Sequence, residues 1–469
     1  IDYHTTGDYK PYFYRTHDYG KTWTPIVNGL PADQPSGSFA RVIRADTKKG
    51  GLLFAGTESS VYVSFDDGDN WQSLMLNLPN TSYRDMTIHD NDLVVGTYGR
   101  GLWILDDFSP LRELTSSTAS EPVHLFKPGD AVRVRRNVNG DTPFPPEVPH
   151  AANPPLGAIL YYYLRSKPAG DVTLDVLDAS GNVVRRLSSA PIPPLPDPPP
   201  AVPDYWLEKP RPMPVEAGLN RINWNIRYDN PPAFTHNYAQ VMGAVAGDTP
   251  ASPEGPLALP GVYTLKLTVD GRTYTQTLTV KNDPRSPASA ADLRAQHELQ
   301  MKLSEGAAEA WDGYKQVTAM RDAVAAVTHA NPPADVTSAA AAFDAKLAAV
   351  AGTPGTGRRG GGGGFAGAGG PPPPPTFVAV NAALVRQLDT LDFGDMAPTE
   401  SMTNAYANGC GELKTVVSNW KAINARELTA FNEVLTKNNL QPIAAASPAL
   451  PVPTCGASPT TSTRSSRRR

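Results

Sequence analysis

Arg100, in the segment Tyr98-Gly99-Arg100-Gly101, is the residue whose type and neighbours most suggest contact with a ligand. An arginine in this position can point toward an anionic or sugar ligand, with Tyr98 beside it. It can equally donate hydrogen bonds to backbone carbonyls where a repeat of strands closes, and we favour that second interpretation. Tyr98 and Arg100 are therefore kept as candidate ligand-binding residues, without an assigned ligand.

The same part of the chain contains carboxylates of the kind that glycoside hydrolysis uses. That reaction needs two carboxyl groups at a set separation across a cleft. The available residues are Asp85, Asp90, Asp92, Asp106 and Asp107. Asp106 and Asp107 could also bind a cation, although carboxylates that follow a strand more often cap a turn. Nothing in the sequence brings two of these groups together, so we predict no catalytic residue within this chain.

Patterns typical of metal, cofactor and nucleophile sites do not occur. The eight histidines have no metal-ligand spacing, and no HExxH or CxxC motif is present. No Gly-x-Ser-x-Gly elbow supports a serine nucleophile. The glycine run at residues 360–364 lacks the Lys-Ser/Thr and the strand of a phosphate loop. We therefore predict neither a metal site nor a cofactor.

Composition excludes other partners. The net charge of −4 and the pI near 6.1 argue against binding to nucleic acid. No run of eighteen apolar residues predicts a transmembrane segment. Cys410 and Cys455 are the two cysteines, and they could form one disulfide in an exported protein or remain as two thiols.

Two copies of one eight-residue pattern precede these candidates, at residues 16–23 and 64–71, and both match Ser/Thr-x-Asp-x-Gly-x-x-Trp. Aspartate and glycine two residues apart, between apolar runs, predict a tight hairpin connection. The carboxylate accepts turn N–H groups, and the glycine supplies a positive φ. The tryptophan offers an apolar face that locks the turn against its sheet. The positions with this structural role are Thr16, Asp18, Gly20, Trp23, Ser64, Asp66, Gly68 and Trp71.

The flanks of the pattern repeat as well. Residues 52–57 and 61–64 have the character of strands before the second copy, and residues 93–98 and 103–107 form a third, degenerate copy. Repeats of about 40 to 50 residues built from short strands are typical of propeller blades.

The pattern resembles the Asp-box of the BNR repeat, which occurs in sialidase-like and sortilin-like β-propellers. The resemblance implies that residues 1–114 are C-terminal blades of such a propeller. Only about two and a half blades would be present, and their faces would lack neighbours. Because the chain also begins at Ile1 inside strand-like sequence, we expect the C-terminal portion of a longer protein.

Sialidases of this repeat class use three arginines, a tyrosine with a glutamate partner, and an aspartate. Two-propeller xyloglucanases use paired aspartates. Most of these residues would come from blades that precede this chain. The residue types present here are not brought together by any motif: Arg15, Arg41, Arg44, Arg84, Arg100, Glu58 and Tyr98.

Residues 122–283 predict a β-sandwich that resembles the immunoglobulin-like modules appended to secreted bacterial propellers. The strongest signal is a hairpin around the Asp270-Gly271 turn. The proline-rich insertions at residues 191–214 and 230–260 are predicted to be surface loops. One group of aromatic residues could stack against sugars, although we favour packing in the core: Trp206, Trp224, Tyr161, Tyr162 and Tyr163.

The remainder of the chain is predicted to be helical. Apolar residues that recur every three or four positions predict a helical bundle formed by residues 287–351 and 376–441. The Gly/Pro-rich residues 352–375 predict a disordered loop, and residues 442–469 predict a disordered tail.

These observations predict a multidomain, mainly β protein with α, in which the last blades of a β-propeller precede an immunoglobulin-like β-sandwich and a C-terminal helical bundle. The family resemblance implies export to the periplasm or the outside. We expect the protein to bind polysaccharide or polypeptide. The alternatives are a glycoside hydrolase with its active site mainly in the missing blades, and a structural partner at the cell surface. The oligomeric state is not predicted.

Overall fold

The computed structural model describes residues 1–32, 38–135, 142–192, 202–236, 243–250, 252–354 and 373–455. Within them the protein combines five β-sheets with a set of helices that follow the last strand. The described residues therefore form a mixed protein of sheets and helices, in which the helices hold more residues than the strands.

The first region forms three successive antiparallel sheets of two, four and three strands. Each sheet follows chain order, so every strand pairs with its neighbour in the sequence. The strands are β1 Tyr14–Arg15, β2 Thr24–Pro25, β3 Ala40–Ala45, β4 Leu53–Thr57, β5 Val61–Ser64, β6 Gln72–Ser73, β7 Tyr83–His89, β8 Asp92–Thr97 and β9 Leu102–Leu105.

Both eight-residue patterns fold into the same turn, one between β1 and β2 and the other between β5 and β6. In the second turn the Ser64 Oγ accepts a hydrogen bond from Gly68 N at 2.9 Å, and Asp66 Oδ1 accepts one from Asn70 N at 2.8 Å. The equivalent two bonds within residues 16–23 are both 2.8 Å long. Gly68 has a φ of +92°, which favours glycine. Local sequence therefore dictates this turn.

The two tryptophans of the pattern differ in their surroundings, which corrects the prediction that each locks its own turn. Trp71 is 4% exposed, and its Nε1 donates to Ile26 O, in the preceding repeat, at 2.9 Å. Trp23 is 59% exposed, and its Nε1 donates to Gly20 O within its own turn. The tryptophan thus packs on the repeat before it, and no described residue covers Trp23 in the equivalent way.

The second region is a pair of sheets, reached through the short helices α1 Pro110–Glu113 and α2 Ser116–Ser120. One sheet has the order β10-β12-β15 and the other β11-β17-β16-β13-β14, in which only β11 and β17 run parallel. The strands are β10 Val123–Leu125, β11 Ala131–Arg133, β12 Ala158–Leu164, β13 Thr173–Leu177, β14 Val183–Ser188, β15 Gly218–Trp224, β16 Gly261–Val269 and β17 Arg272–Asn282.

These two sheets share one apolar core. Leu160 and Trp224 from the first sheet are buried together with Leu174, Leu265 and Leu278 from the second. The alternation of burial along β16 is that of a strand with one face inward, and its hairpin with β17 turns at the expected Asp-Gly pair.

Core packing accounts for most of the aromatic residues that could have formed a sugar-binding surface. Trp224, Tyr161 and Tyr162 are buried, while Trp206 and Tyr163 are half-buried. We conclude that no continuous aromatic surface exists among these five residues.

The prediction that both proline-rich insertions are surface loops is wrong for part of their length. Met213 and Leu257 are buried in or beside the two-sheet core, and Phe234 packs on Trp311 of the helices at 4.5 Å between ring centroids. Proline lacks an N–H, so a segment rich in it leaves fewer donors to satisfy when it packs inward. Residues 193–201, 237–242 and 251 of these insertions lie outside the described part of the chain.

The helices follow β17. Helix α6 continues into α7 through a π-helical segment, Ile423–Glu427. The helices are α3 Ala290–His329, α4 Ala334–Ala351, α5 Phe377–Leu391, α6 Glu400–Ala422 and α7 Leu428–Lys437. They enclose a second large core, to which α3 contributes a stripe from Leu299 to Val324. Met320 belongs to this stripe, and the adjacent Arg321 pairs with Asp344 at 2.7 Å.

The predicted disordered tail differs from the structure in its first half. Residues 442–455 have no regular secondary structure, yet Leu450 is 7% exposed and belongs to the helical core. Side chains of the helices bond to the backbone of this segment, and a disulfide joins Cys455 to Cys410. Residues 456–469, and residues 355–372 of the predicted Gly/Pro loop, lie outside the described residues.

Candidate functional site

The loop between β8 and β9 holds the two candidate ligand-binding residues in a rigid turn. Tyr98 N donates to Ser82 O at 2.9 Å, and Thr81 Oγ1 donates to Tyr98 O at 2.8 Å. Across the loop, Thr97 Oγ1 donates to Gly101 O at 2.6 Å. Hydrogen bonds to its backbone therefore hold the loop, while the side chains of Tyr98 and Arg100 are exposed.

Tyr98 is exposed over 70% of its surface, and the guanidinium of Arg84 lies 4.9 Å from the centre of its ring. This is the geometry of a cation–π contact, which occupies one face of the ring. Arg100 is exposed, and its carbonyl accepts a hydrogen bond from Trp103 Nε1 at 3.0 Å. Within the described residues the Arg100 guanidinium makes no hydrogen bond, so the bonds to carbonyls that we favoured do not form.

An apolar groove lies beside this loop. It runs between β9 and the segment after β6, and Trp103, Leu74 and Leu78 form part of its wall. Leu76, on its rim, is 72% exposed, and Ile104 is 58% exposed. Leucine and isoleucine side chains left in water next to one another mark a surface suited to association.

Strand β9 also has an unpaired edge among the described strands. It pairs with β8 alone, whereas β5, its counterpart in the preceding repeat, pairs with β4 on one side and β6 on the other. The backbone N–H and C=O groups on the outer edge of β9 are therefore available to an added strand. Leu102, at the start of this edge, is 76% exposed.

Of the five candidate aspartates, three accept hydrogen bonds from neighbouring residues, and a fourth, Asp90, is exposed. Arg44 donates to Asp85 at 2.6 Å. Asp107 N donates to Asp92 at 2.8 Å, and Ser109 N donates to Asp107 at 3.2 Å, so both carboxylates cap the turn after β9. The prediction that carboxylates after this strand cap a turn agrees with these bonds. Asp90 is exposed.

Asp106 is the one aspartate of this group with a raised pKa. Burial raises the pKa of its carboxyl, Asp92 and Asp107 raise it further, and Arg221 partly offsets the shift. A protonated carboxyl could act as a general acid, but hydrolysis needs a second carboxylate across a cleft. Asp92 and Asp107 are engaged in the turn, so no such pair forms among the described residues.

A second cluster of charges lies where the two-sheet region meets the helices. Arg133 and Arg135 of the strand β11 segment pair with Asp395 at 2.7 and 2.6 Å. Arg135 also contacts Asp392 at 2.8 Å, and Arg227 contacts the same carboxylate at 2.7 Å. Mutual pairing satisfies these groups, so we assign them to joining the two regions.

One further acid belongs to this cluster. Burial raises the pKa of Asp389 to about 7, and the nearby carboxylates Asp392 and Glu254 raise it in the same direction. Burial opposes the charge of Arg227, but Glu254 and Asp392 outweigh it and hold the arginine pKa above its ordinary value. A perturbed acid inside an ion-pair network is as consistent with a structural role as with catalysis.

Sequence reasoning missed this cluster. Two features of the sequence could have indicated it: Asp389, Asp392 and Asp395 recur every three residues, and Arg133 and Arg135 are two residues apart. Nothing in the sequence, however, indicated that these two segments meet.

The described residues contain no group of three or more His, Cys, Asp or Glu side chains arranged to hold a metal ion. Among the described helices, none has the length and apolar character that crossing a bilayer requires.

Comparison with known proteins does not assign a family. No family model matches the chain, and no curated protein matches it. One similar solved structure is an extracellular domain ascribed to a one-component system of B. thetaiotaomicron, at 9% identity and a TM-score of 0.17, covering 57% of this chain and 28% of that one. A second is an extracellular domain ascribed to a hybrid two-component system of the same organism, at 11% identity and a TM-score of 0.17, covering 58% and 34%. The chain thus spans about a third of the solved chains it matches.

Proposed function

We propose that this chain belongs to an exported binding protein built on Asp-box propeller blades, with the two-sheet region and the helices as accessory modules. The identical hydrogen bonding of the two eight-residue turns supports the assignment to Asp-box blades. The disulfide between Cys410 and Cys455 supports export, because disulfides persist in oxidising compartments.

The observation that carries the proposal is the exposed Tyr98 and Arg100 beside the apolar groove along β9. Two guanidinium groups, those of Arg84 and Arg100, favour a carboxylate, and the groove favours aliphatic side chains. The open edge of β9 favours an extended backbone. The ligand that fits all three features is an extended polypeptide with an acidic residue next to apolar ones.

A polysaccharide is the second candidate, because one face of the Tyr98 ring is free to stack on a sugar. A glycoside hydrolase stays the alternative if other parts of a longer protein supply a carboxylate opposite Asp106. A purely structural partner at the cell surface is the third alternative.

The test is binding of the chain to two probe sets, a library of immobilised acidic-apolar peptides and an array of glycans. We expect binding to peptides. The Tyr98→Ala variant should lose about tenfold or more in affinity, since removal of an exposed anchor at a contact commonly costs this much. Tyr19→Ala is the matched control, because Tyr19 is fully exposed on another turn of the same region.

Equal loss in both variants, or no binding to either probe set, would overturn the proposal. Binding to glycans alone, lost in Tyr98→Ala, would establish the polysaccharide alternative. Release of reducing sugar that disappears in Asp106→Asn would establish the hydrolase.

A further inference from the structure

The segment that follows α7 runs along the helical bundle without regular secondary structure, and we call residues 440–455 the tail strap. Its Ile443 and Ala446 side chains pack against the helical core, and Leu450 enters it. The strap has no helix or strand of its own, so its backbone polar groups must be satisfied by other parts of the protein.

Two asparagines of the helices supply those partners in the same bidentate way. Asn432 Nδ2 donates to Ile443 O at 2.8 Å, and Asn432 Oδ1 accepts from Ile443 N at 2.8 Å. Asn424 repeats both bonds with Ala446, at 3.3 Å to the carbonyl and 2.9 Å from the N–H. Each carboxamide thus binds both the N–H and the C=O of one residue, as the opposite residue of an antiparallel strand would.

A third amide continues this row. Gln316 Nε2 donates to Pro448 O at 2.9 Å, and Gln316 Oε1 accepts from Trp420 Nε1 at 3.0 Å. The indole bond fixes the orientation of the glutamine amide, so its N–H group is presented to the strap. The helices therefore bind the backbone of the strap through these three amides and contact the apolar side chains of Ile443, Ala446 and Leu450.

The far end of the strap is held covalently. Cys455 is bonded to Cys410 on α6, and the two are separated by 45 residues in sequence. Cys410 is buried, whereas Cys455 is only partly buried. A thiolate from solvent would consequently reach the sulfur of Cys455 more readily than that of Cys410.

We propose that the Cys410–Cys455 disulfide is a redox latch for the tail strap. A dithiol reductant attacks Cys455 Sγ, forms a mixed disulfide there, and releases Cys410 as a thiolate that takes a proton. The second thiol of the reductant then displaces Cys455, so the reductant leaves as its own disulfide and the protein gains two thiols. The strap is then held only by the three side-chain amides and by the apolar contacts of Ile443, Ala446 and Leu450, and it opens without unfolding of the helices.

The test is hydrogen exchange of the full chain before and after reduction, with the formation of two thiols verified by mass. In the reduced protein we expect the amides of Ile443 and Ala446 to exchange about tenfold or more faster, because local opening sets their protection. Amides in the middle of α6, at Leu413 and Val417, should keep their protection. Cys455→Ser should give the same result without reductant.

Two results would overturn the proposal. One is unchanged exchange of the strap in protein with two free thiols. The other is loss of protection along α6 and α7 together with the strap, since the disulfide would then stabilise the whole bundle.

The side-chain amides of Asn432, Asn424 and Gln316, which form the amide row, are tested by a separate variant. In the Cys455→Ser protein, Asn432→Asp keeps the acceptor for Ile443 N and removes the donor to Ile443 O. Exchange of the strap should become faster again, whereas Asn419→Asp, at an exposed position of α6, should leave it unchanged. Equal exchange in these two variants would count against the recognition of the strap by its backbone.

Discussion

At the scale of single residues, the two tryptophans of the repeated pattern show that the motif determines the turn, whereas the neighbouring repeat determines whether the tryptophan is buried. Trp71 lies against Phe13 and Ile26 of the preceding repeat, while Trp23 is left in solvent beyond its own turn. The backbone of Trp71 also lies close to Gly29 of the preceding repeat, because a Cβ at Gly29 would be 2.3 Å from Trp71 O.

We expect Trp71→Ala to lower the free energy of unfolding by about 3–5 kcal/mol, the usual cost of removing a buried aromatic side chain. Trp23→Ala, at the equivalent position, should change it by less than about 1 kcal/mol because its side chain is exposed. Urea unfolding followed by circular dichroism would measure both. Similar losses in the two variants would mean that Trp23 is covered in solution.

Asp389 should make stability depend on pH. Its pKa of about 7 in the folded protein exceeds the ordinary value of 3.8, so the folded state holds this proton more tightly than the unfolded state. The contribution is complete below about pH 4 and is lost as the pH rises through about 7, on the order of 2–4 kcal/mol in all. The Asp389→Asn variant has no ionisable group at this position, so this part of the pH dependence of stability should disappear.

Relative to the natural protein, Asp389→Asn should therefore be about equally stable at pH 4 and more stable at pH 8. Denaturant unfolding across this range would measure the difference. Asp322→Asn, at an exposed position of α3, serves as the control. A difference that is constant with pH would show that Asp389 ionises normally.

At the scale of elements, the crossing of α3 and α5 depends on a glycine. Phe377 of α5 sits over Gly313 of α3, where a Cβ would lie 2.2 Å from the phenyl ring. Gly411 of α6 is also inside a helix, but its Cβ would meet nothing within 4 Å. Glycine thus permits close packing at position 313, whereas at position 411 it only lowers the stability of helix α6.

Gly313→Ala should destabilise the protein by about 1–3 kcal/mol, because the ring and the two helices must move apart. Gly411→Ala should instead stabilise it by about 0.5–1 kcal/mol, since alanine is the better helix former and nothing blocks its methyl group. Thermal unfolding of both variants would measure these opposite signs. Stabilisation by Gly313→Ala would place Phe377 elsewhere.

At the scale of the whole molecule, the junction between the two-sheet region and the helices is polar. Asp392 and Asp395 at the end of α5 receive Arg133, Arg135 and Arg227 from the sheets. Gln296 of α3 adds hydrogen bonds to the backbone at residues 391 and 394, of 2.6 and 2.7 Å. We therefore expect these ion pairs to couple the unfolding of the two regions.

We expect Asp392→Asn to cost about 2–4 kcal/mol, because two guanidinium groups lose their shared carboxylate in a partly buried site. Calorimetry of the natural protein should show the sheets and helices unfolding together, and the variant should show two separated transitions. Asp312→Asn, which removes only an exposed pair with Lys315, is the control. A single transition in both variants would mean that the apolar contacts alone join the regions.

Much of the fold could be predicted because it depends on neighbours in the sequence. The Asp-box turns, the Asp270-Gly271 hairpin and the cap at Thr399 are each formed by residues within a few positions of one another. The periodic apolar stripe of α3 likewise marks its buried face without knowledge of what covers it. The propeller and immunoglobulin-like assignments stay proposals, because they concern how such elements are arranged.

The candidate site could be predicted only in part. Sequence alone pointed to Tyr98 and Arg100, but only the tertiary structure decided that Arg84 lies over the ring and that the groove beside β9 is open. The composition of the tail predicted disorder, but Asn424 and Asn432, 22 and 11 residues before their partners in the chain, bond to its backbone in the folded protein. Local hydrogen bonds and periodic burial are written in consecutive residues, whereas contacts between remote segments depend on which surfaces the folded chain brings together.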